Sequence, residues 1–129
     1  MLGMTGLFSP GLILTAAAKN KKTYKAVQTA GNEVFVPLSL FEESNIQIVS
    51  VKGWEYDMAV HKQDDGNFSV FLLRCTHMDN AVQLSSEGFV CSMHGSTYDK
   101  SGNVTKGPAE KPLEQYHAAI IEDHLVITP

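Results

Sequence analysis

Two short segments, Cys75-Thr76-His77 and Cys91-Ser92-Met93-His94, each offer one thiol and one imidazole, and each follows a run of strand character. A chain that brings these four side chains together needs a framework stiff enough to deliver two separate loops, divided by Met78 to Val90, to one place. Cys75 and Cys91 are its only cysteines. Two are too few for the disulfide framework of a small secreted scaffold, although a single bridge between them stays open at this stage. The histidine beside each cysteine favours metal binding.

The framework reads as nearly all β. From Thr23 onward, short runs rich in Val, Ile, Phe and Tyr are punctuated by Gly, Asn and Asp, and no window sustains helical periodicity. Tyr24 to Thr29 and Glu33 to Val36 flank Ala30-Gly31-Asn32, where Gly31 and Asn32 tolerate positive φ, which predicts a hairpin. Leu38 to Glu43 suits one short helical turn. Ile46 to Val51 alternates, Tyr56 to His61 follows Gly53-Trp54, and Asp64-Asp65-Gly66-Asn67 is a turn before Phe68 to Arg74, which runs into Cys75. Tyr116 to Ile121 and Leu125 to Thr128, around Glu122-Asp123-His124, predict a closing hairpin. Between these elements the span from about 74 to 112 reads as loop-rich.

With 129 residues the chain suffices for one compact domain, expected over 23–129, and is too short for two. Its net charge of -4 leaves no broad basic surface for phosphates, so no nucleic-acid partner is expected. Residues 1–22 form an apolar stretch to Ala18 followed by Lys19, Lys21 and Lys22. One reading is the remnant of a signal or membrane anchor. It lacks a positive n-region, however, and Ser9, Pro10 and Gly11 interrupt it, so an N-terminal arm packed on the domain or a partner is an equal alternative.

Zinc fingers usually draw two cysteines from one knuckle and two histidines from the other. Here each knuckle supplies one of each, an order that suits a two-iron cluster in which one iron takes both thiolates and the other both imidazoles. Cys75-Thr76-His77 with Cys91-Ser92-Met93-His94-Gly95-Ser96-Thr97-Tyr98-Asp99 resembles the paired cluster-binding boxes of Rieske iron-sulfur proteins. Gly107-Pro108-Ala109 resembles the loop that covers their cluster.

That resemblance implies an all-β fold, a Rieske-like antiparallel β sandwich with an inserted cluster-binding subdomain of two loops. It implies one [2Fe-2S] cluster per chain, with Cys75 and Cys91 on the inner iron and His77 and His94 on the outer one. Imidazoles in place of two thiolates lower the negative charge of such a cluster and raise its potential to about -150 to +300 mV. The resemblance also implies that Ser96 donates to a bridging sulfide and Tyr98 to a cysteine, the pattern of the high-potential branch. The two further cysteines that staple the loops in respiratory and photosynthetic members are replaced by Asn80 and Met93. No disulfide between the loops is therefore expected.

The implied function is one-electron transfer within or beside a membrane oxidoreductase, with a redox protein or a quinol as partner and no substrate turnover by the chain alone. Two alternatives stand beside it: a Rieske ferredoxin feeding an oxygenase, and a structural zinc-binding module. The expected location is a bacterial membrane or the periplasm, with the cytoplasm as alternative. Trp54 is expected in the core, Gly95 and Gly107 in backbone roles near the cluster. Thr76, Met93, His61, His117 and His124 are assigned no part in the site.

Overall fold

The computed structural model describes residues 23–129, so the arm, signal or anchor expected at 1–22 lies outside the described residues. Eleven strands follow in order: β1 Thr23–Ala26, β2 Val34–Pro37, β3 Ile46–Val51, β4 Met58–Lys62, β5 Phe68–Leu72, β6 Gln83–Ser85, β7 Gly88–Val90, β8 Thr97–Asp99, β9 Val104–Lys106, β10 Gln115–Ile121 and β11 His124–Thr128. One 3-10 turn, Leu38–Glu42, joins β2 to β3 and buries Phe41. The all-β expectation therefore holds, and β3 and the closing β10–β11 hairpin fall where the sequence pattern places them.

Seven strands form one sheet in the order β1-β3-β4-β5-β10-β11-β2. Its two ends return to each other at an antiparallel bridge between Gln28 and Val34. Inward-facing side chains from around this sheet gather in a single cluster: Ala26, Val34, Val36, Val49, Val51, Met58, Val60, Val70, Leu72, Leu125 and Ile127. Side chains alternate across a strand with a period of two, so β4 and β5 have a second face. That outer face carries Ala59, Phe71 and then Leu73, which pack with Val82, Phe89, Tyr98 and Leu113 in a second core.

The second core lies under a four-stranded antiparallel sheet of order β6-β7-β8-β9. These strands lie within the span that reads as loop-rich, and the pattern does not single them out because each is only three residues long. Three residues hold barely one period of alternation, too little to register as a strand by pattern alone.

The predicted hairpin of Tyr24 to Thr29 with Glu33 to Val36 is corrected. Its turn forms, with the Thr29 amide donating to the Glu33 carbonyl at 2.8 Å and Asn32 at φ 66°. The strands beyond it part, however, because β1 runs parallel to β3, Thr23 opposite Ile48 through Ala26 opposite Val51. β2 pairs instead with β11. Parting lets one sheet wrap the first core, and it makes β1–β3 a parallel pair in an otherwise antiparallel fold.

Gly88 shows how tightly the small sheet is drawn together. It sits at φ 150°, and a Cβ there would lie 2.1 Å from the Tyr98 carbonyl oxygen. The nearest atoms are all backbone of Tyr98 and Asp99 on the paired strand, which has little room to yield. Gly88→Ala is expected to destabilise the protein by more than about 2 kcal/mol in denaturant unfolding, through overpacking against backbone. Gly66→Ala, with nothing within 4 Å of its Cβ, is expected to lose only the left-handed backbone cost of about 1 kcal/mol. Equal losses in the two variants contradict the close approach.

Candidate metal centre

β5 delivers the chain through Leu73 and Arg74 to the first loop, and the β7–β8 connection is the second. Both close in the same way. The Cys75 amide donates to the Asn80 carbonyl at 2.7 Å and the Asp79 amide to the Cys75 carbonyl at 2.9 Å. The Cys91 amide donates to the Ser96 carbonyl at 2.8 Å and the Gly95 amide to the Cys91 carbonyl at 2.9 Å. Asp79 and Gly95 thus hold equivalent positions, both with positive φ, 60° and 83°. Each knuckle turns its cysteine inward and its histidine out.

Cys75 and Cys91 are free thiols, both fully buried in the second core. The single bridge left open above is therefore not formed. His77 and His94 are exposed, with ring centroids 5.2 Å apart and planes at 90°. The four predicted residues are thus brought together as an inner thiol pair and an outer imidazole pair.

Three hydroxyls lace the surroundings. Tyr98, buried on β8, points its hydroxyl at Cys75 Sγ at 3.5 Å, and the Thr76 amide donates to that hydroxyl at 3.2 Å. Thr76 Oγ1 lies 3.2 Å from it as well and donates to the Lys111 carbonyl at 2.7 Å. Ser96 is the only buried polar residue among those described, and its Oγ accepts the Ala109 amide at 3.0 Å. Ser96 therefore anchors the Gly107-Pro108-Ala109 loop, while its own proton has no protein acceptor among the described hydrogen bonds.

Thr76 is the residue that sequence reasoning missed. It ties the first knuckle to the covering loop at Lys111, and no one-dimensional signal marks a partner 35 residues away. His61, His117 and His124 stay outside the site: His61 approaches Gln63, and His124 pairs with Asp123 at 2.8 Å. Trp54 is half-buried against the first core and donates from Nε1 to Gln28 Oε1 at 3.2 Å. Met78 and Met93 are exposed beside the two histidines.

Hydrogen bonding favours the thiolate form of Cys75. Burial by itself pushes the Cys75 thiol up, but hydrogen bonds from the Tyr98 hydroxyl, the His77 and Met78 amides and the Cys91 thiol outweigh it and leave the thiol below its ordinary value. Burial, and then the bond to Cys75, raise Tyr98. The phenol therefore stays protonated and remains a donor.

Two adjacent buried thiols, two adjacent imidazoles and a buried hydroxyl with a proton to spare fit a [2Fe-2S] group and its sulfides. Residues 36–117 match the family model of the Rieske [2Fe-2S] domain. The chain belongs to the Rieske family. Its cofactor is the [2Fe-2S] cluster of that family. The cytochrome b6-f complex iron-sulfur subunit of Cyanothece is 39% identical over 71 residues, 52% of this chain and 40% of the relative. That of Trichodesmium erythraeum is 43% identical over 56 residues, 42% of this chain and 31% of the relative. The chain thus spans less than half the length of these curated relatives.

Among solved structures, the plasma membrane Rieske protein of Synechocystis aligns with a TM-score of 0.61 at 21% identity, over 72% of this chain and 95% of that one. The ferredoxin of carbazole 1,9a-dioxygenase from Nocardioides aromaticivorans aligns with a TM-score of 0.51 at 17% identity, over 73% and 93%. Both likenesses concern the Rieske fold.

Ser96→Ala leaves the Ala109 amide without its partner in a buried site, a loss of about 1 to 3 kcal/mol. The expected outcome is a lower denaturation midpoint in the cluster-free protein, with Ser92→Ala, exposed on the same loop, unchanged. Equal midpoints for Ser96→Ala and the parent contradict the anchoring role.

Proposed function

We propose that Cys75, His77, Cys91 and His94 hold the cluster, one thiol and one imidazole from each knuckle, in a one-electron carrier of the high-potential Rieske type. The observation that carries this is the division of the four side chains into a buried thiol pair and an exposed imidazole pair. A structural zinc ion asks instead for four donors around one point. Among the described residues, no group of three or more Cys, His, Asp or Glu side chains gathers tightly enough to hold one ion.

When bound, the cluster supplies a site that takes up and releases single electrons. The chain's own residues set the conditions. Cys75 and Cys91, buried beneath β7 and β8, keep water from the inner side. Tyr98 offers its proton to Cys75 Sγ, the Ser96 hydroxyl keeps a proton that a cluster sulfide would accept, and such donors would favour the more negative, reduced state. His77 and His94 face solvent, which places the shortest route to a partner at the loop tips. With one ring nitrogen on the cluster, the other nitrogen of each imidazole would stand at the surface, within reach of a hydrogen-bonding partner.

The cytochrome b6-f relatives support a membrane oxidoreductase as the setting, with a quinol or a redox protein as donor and another redox protein as acceptor. Among the described residues, no helix is long and apolar enough to cross a membrane. We take 23–129 as the Rieske domain with its cluster-binding part at about 74–112, and 1–22 as an N-terminal arm or the remnant of a signal or anchor. A second reading, a ferredoxin serving an oxygenase, is favoured by one observation: Asn80 and Met93 stand where stapling cysteines are found in quinol-oxidising members.

Redox potentiometry separates the two. The high-potential reading expects a positive midpoint at pH 7, inside the range of about -150 to +300 mV. It also expects Tyr98→Phe to lower that midpoint by tens of millivolts, given that a tenfold change in a one-electron equilibrium is about 59 mV. A clearly negative midpoint that Tyr98→Phe leaves unmoved rejects this reading in favour of the ferredoxin.

A further inference from the structure

The two knuckles are equivalent in their backbone bonds but unequal at one position. Gly95 takes its positive φ freely, whereas Asp79 adopts φ 60° with a side chain in place. An aspartate tolerates that region better than most residues, yet glycine is the easier choice. Asp79 also differs in what surrounds it.

Its carboxylate Oδ1 lies 3.8 Å from Arg74 Nε, and the same guanidinium donates from Nη2 to Glu114 Oε1 at 3.0 Å. Its carbonyl accepts the hydroxyl of Tyr56. Tyr56 stands in the β3–β4 connection and packs against the first core, and Glu114 immediately precedes β10, whose Gln115 pairs with Phe71 on β5. Two residues flanking strands of the large sheet, Tyr56 and Arg74, therefore meet at Asp79, two residues beyond His77, and Glu114 holds Arg74 from behind. No counterpart to this set touches Gly95 among the described hydrogen bonds and ion pairs.

We infer that Tyr56 and Arg74, with Glu114 behind Arg74, form a strap on Asp79 that positions the first knuckle and hence His77. The strap stands in for a covalent staple: Asn80 beside Asp79 is not a cysteine, and both cysteines are free thiols. Its function in the site rests on the reading that His77 is a ligand, but its mechanical effect on the knuckle does not. Each link is weak, since exposed ion pairs contribute little. Their convergence on one residue is what restrains the loop.

Hydrogen–deuterium exchange by mass spectrometry, on both cluster-free and cluster-bound protein, tests this in peptides covering residues 75–80. Tyr56→Phe is expected to speed exchange there about tenfold, equivalent to about 1.4 kcal/mol of local opening. Arg74→Gln and Asp79→Asn are each expected to speed it about threefold, with the double variant no faster than Arg74→Gln alone, because the Arg74–Asp79 pair is already lost there. High salt should do the same to the parent protein and nothing further to Arg74→Gln.

The midpoint potential discriminates a positioning role from a field effect. Arg74→Gln removes a positive charge and Asp79→Asn a negative one, so a field effect alone shifts the potential in opposite directions and leaves exchange unchanged. A strap speeds exchange in both variants. Unchanged exchange at 75–80, or equal acceleration in β3, β4 and β5, overturns the strap. A protein that binds no cluster but shows the expected exchange retains the strap and loses only its connection to His77.

Discussion

The amide of each cysteine is tied to the carbonyl five residues on, and the rest of the site depends on that closure. Once Cys75 is bonded to Asn80 and Cys91 to Ser96, both thiols face the second core and both imidazoles face outward. Backbone groups buried in a loop need partners, and a knuckle that satisfies its own leaves the side chains free for ligation. The same bonds bring Tyr98 and Thr76 to Cys75, so one closure sets ligand direction and hydrogen-bond donors together.

The knuckles stay in place because β4 and β5 are used twice. Their inner face fills the core of the large sheet, while Ala59, Phe71 and Leu73 on the outer face found the core of the small one. Phe71 meets Phe89 edge to face at 5.6 Å and lies against Gly102. The small sheet with its two knuckles is thus packed on the large sheet by apolar contact, with Ser96, Thr76 and Tyr98 supplying the directional bonds that dispersion lacks.

Much of this was legible in one dimension. Strands of five residues or more with clear alternation, such as Ile46 to Val51, announce themselves, and so do turns such as Asp64 to Asn67. The four ligand candidates stood out because each cysteine has a histidine beside it, and the Ser96 and Tyr98 hydroxyls because they follow the second box. What escaped detection were pairings set by the closed sheet: β1 against β3, β2 against β11, and the three-residue strands between the loops. Thr76, Tyr56, Arg74 and Glu114 escaped for a related reason. Their roles lie in partners 22 to 40 residues away, which only tertiary packing brings within reach.

The central claim is that two nitrogens and two sulfurs of this chain hold one diiron cluster. Iron and acid-labile sulfide analysis, joined to pulsed electron spin resonance of the dithionite-reduced protein, reads that directly. The account predicts two irons and two sulfides per chain and couplings from two nitrogen ligands. It further predicts that one nitrogen coupling is lost from whatever cluster survives when His77 or His94 is replaced by cysteine. A single zinc in place of iron, or a diiron signal without nitrogen couplings, contradicts it.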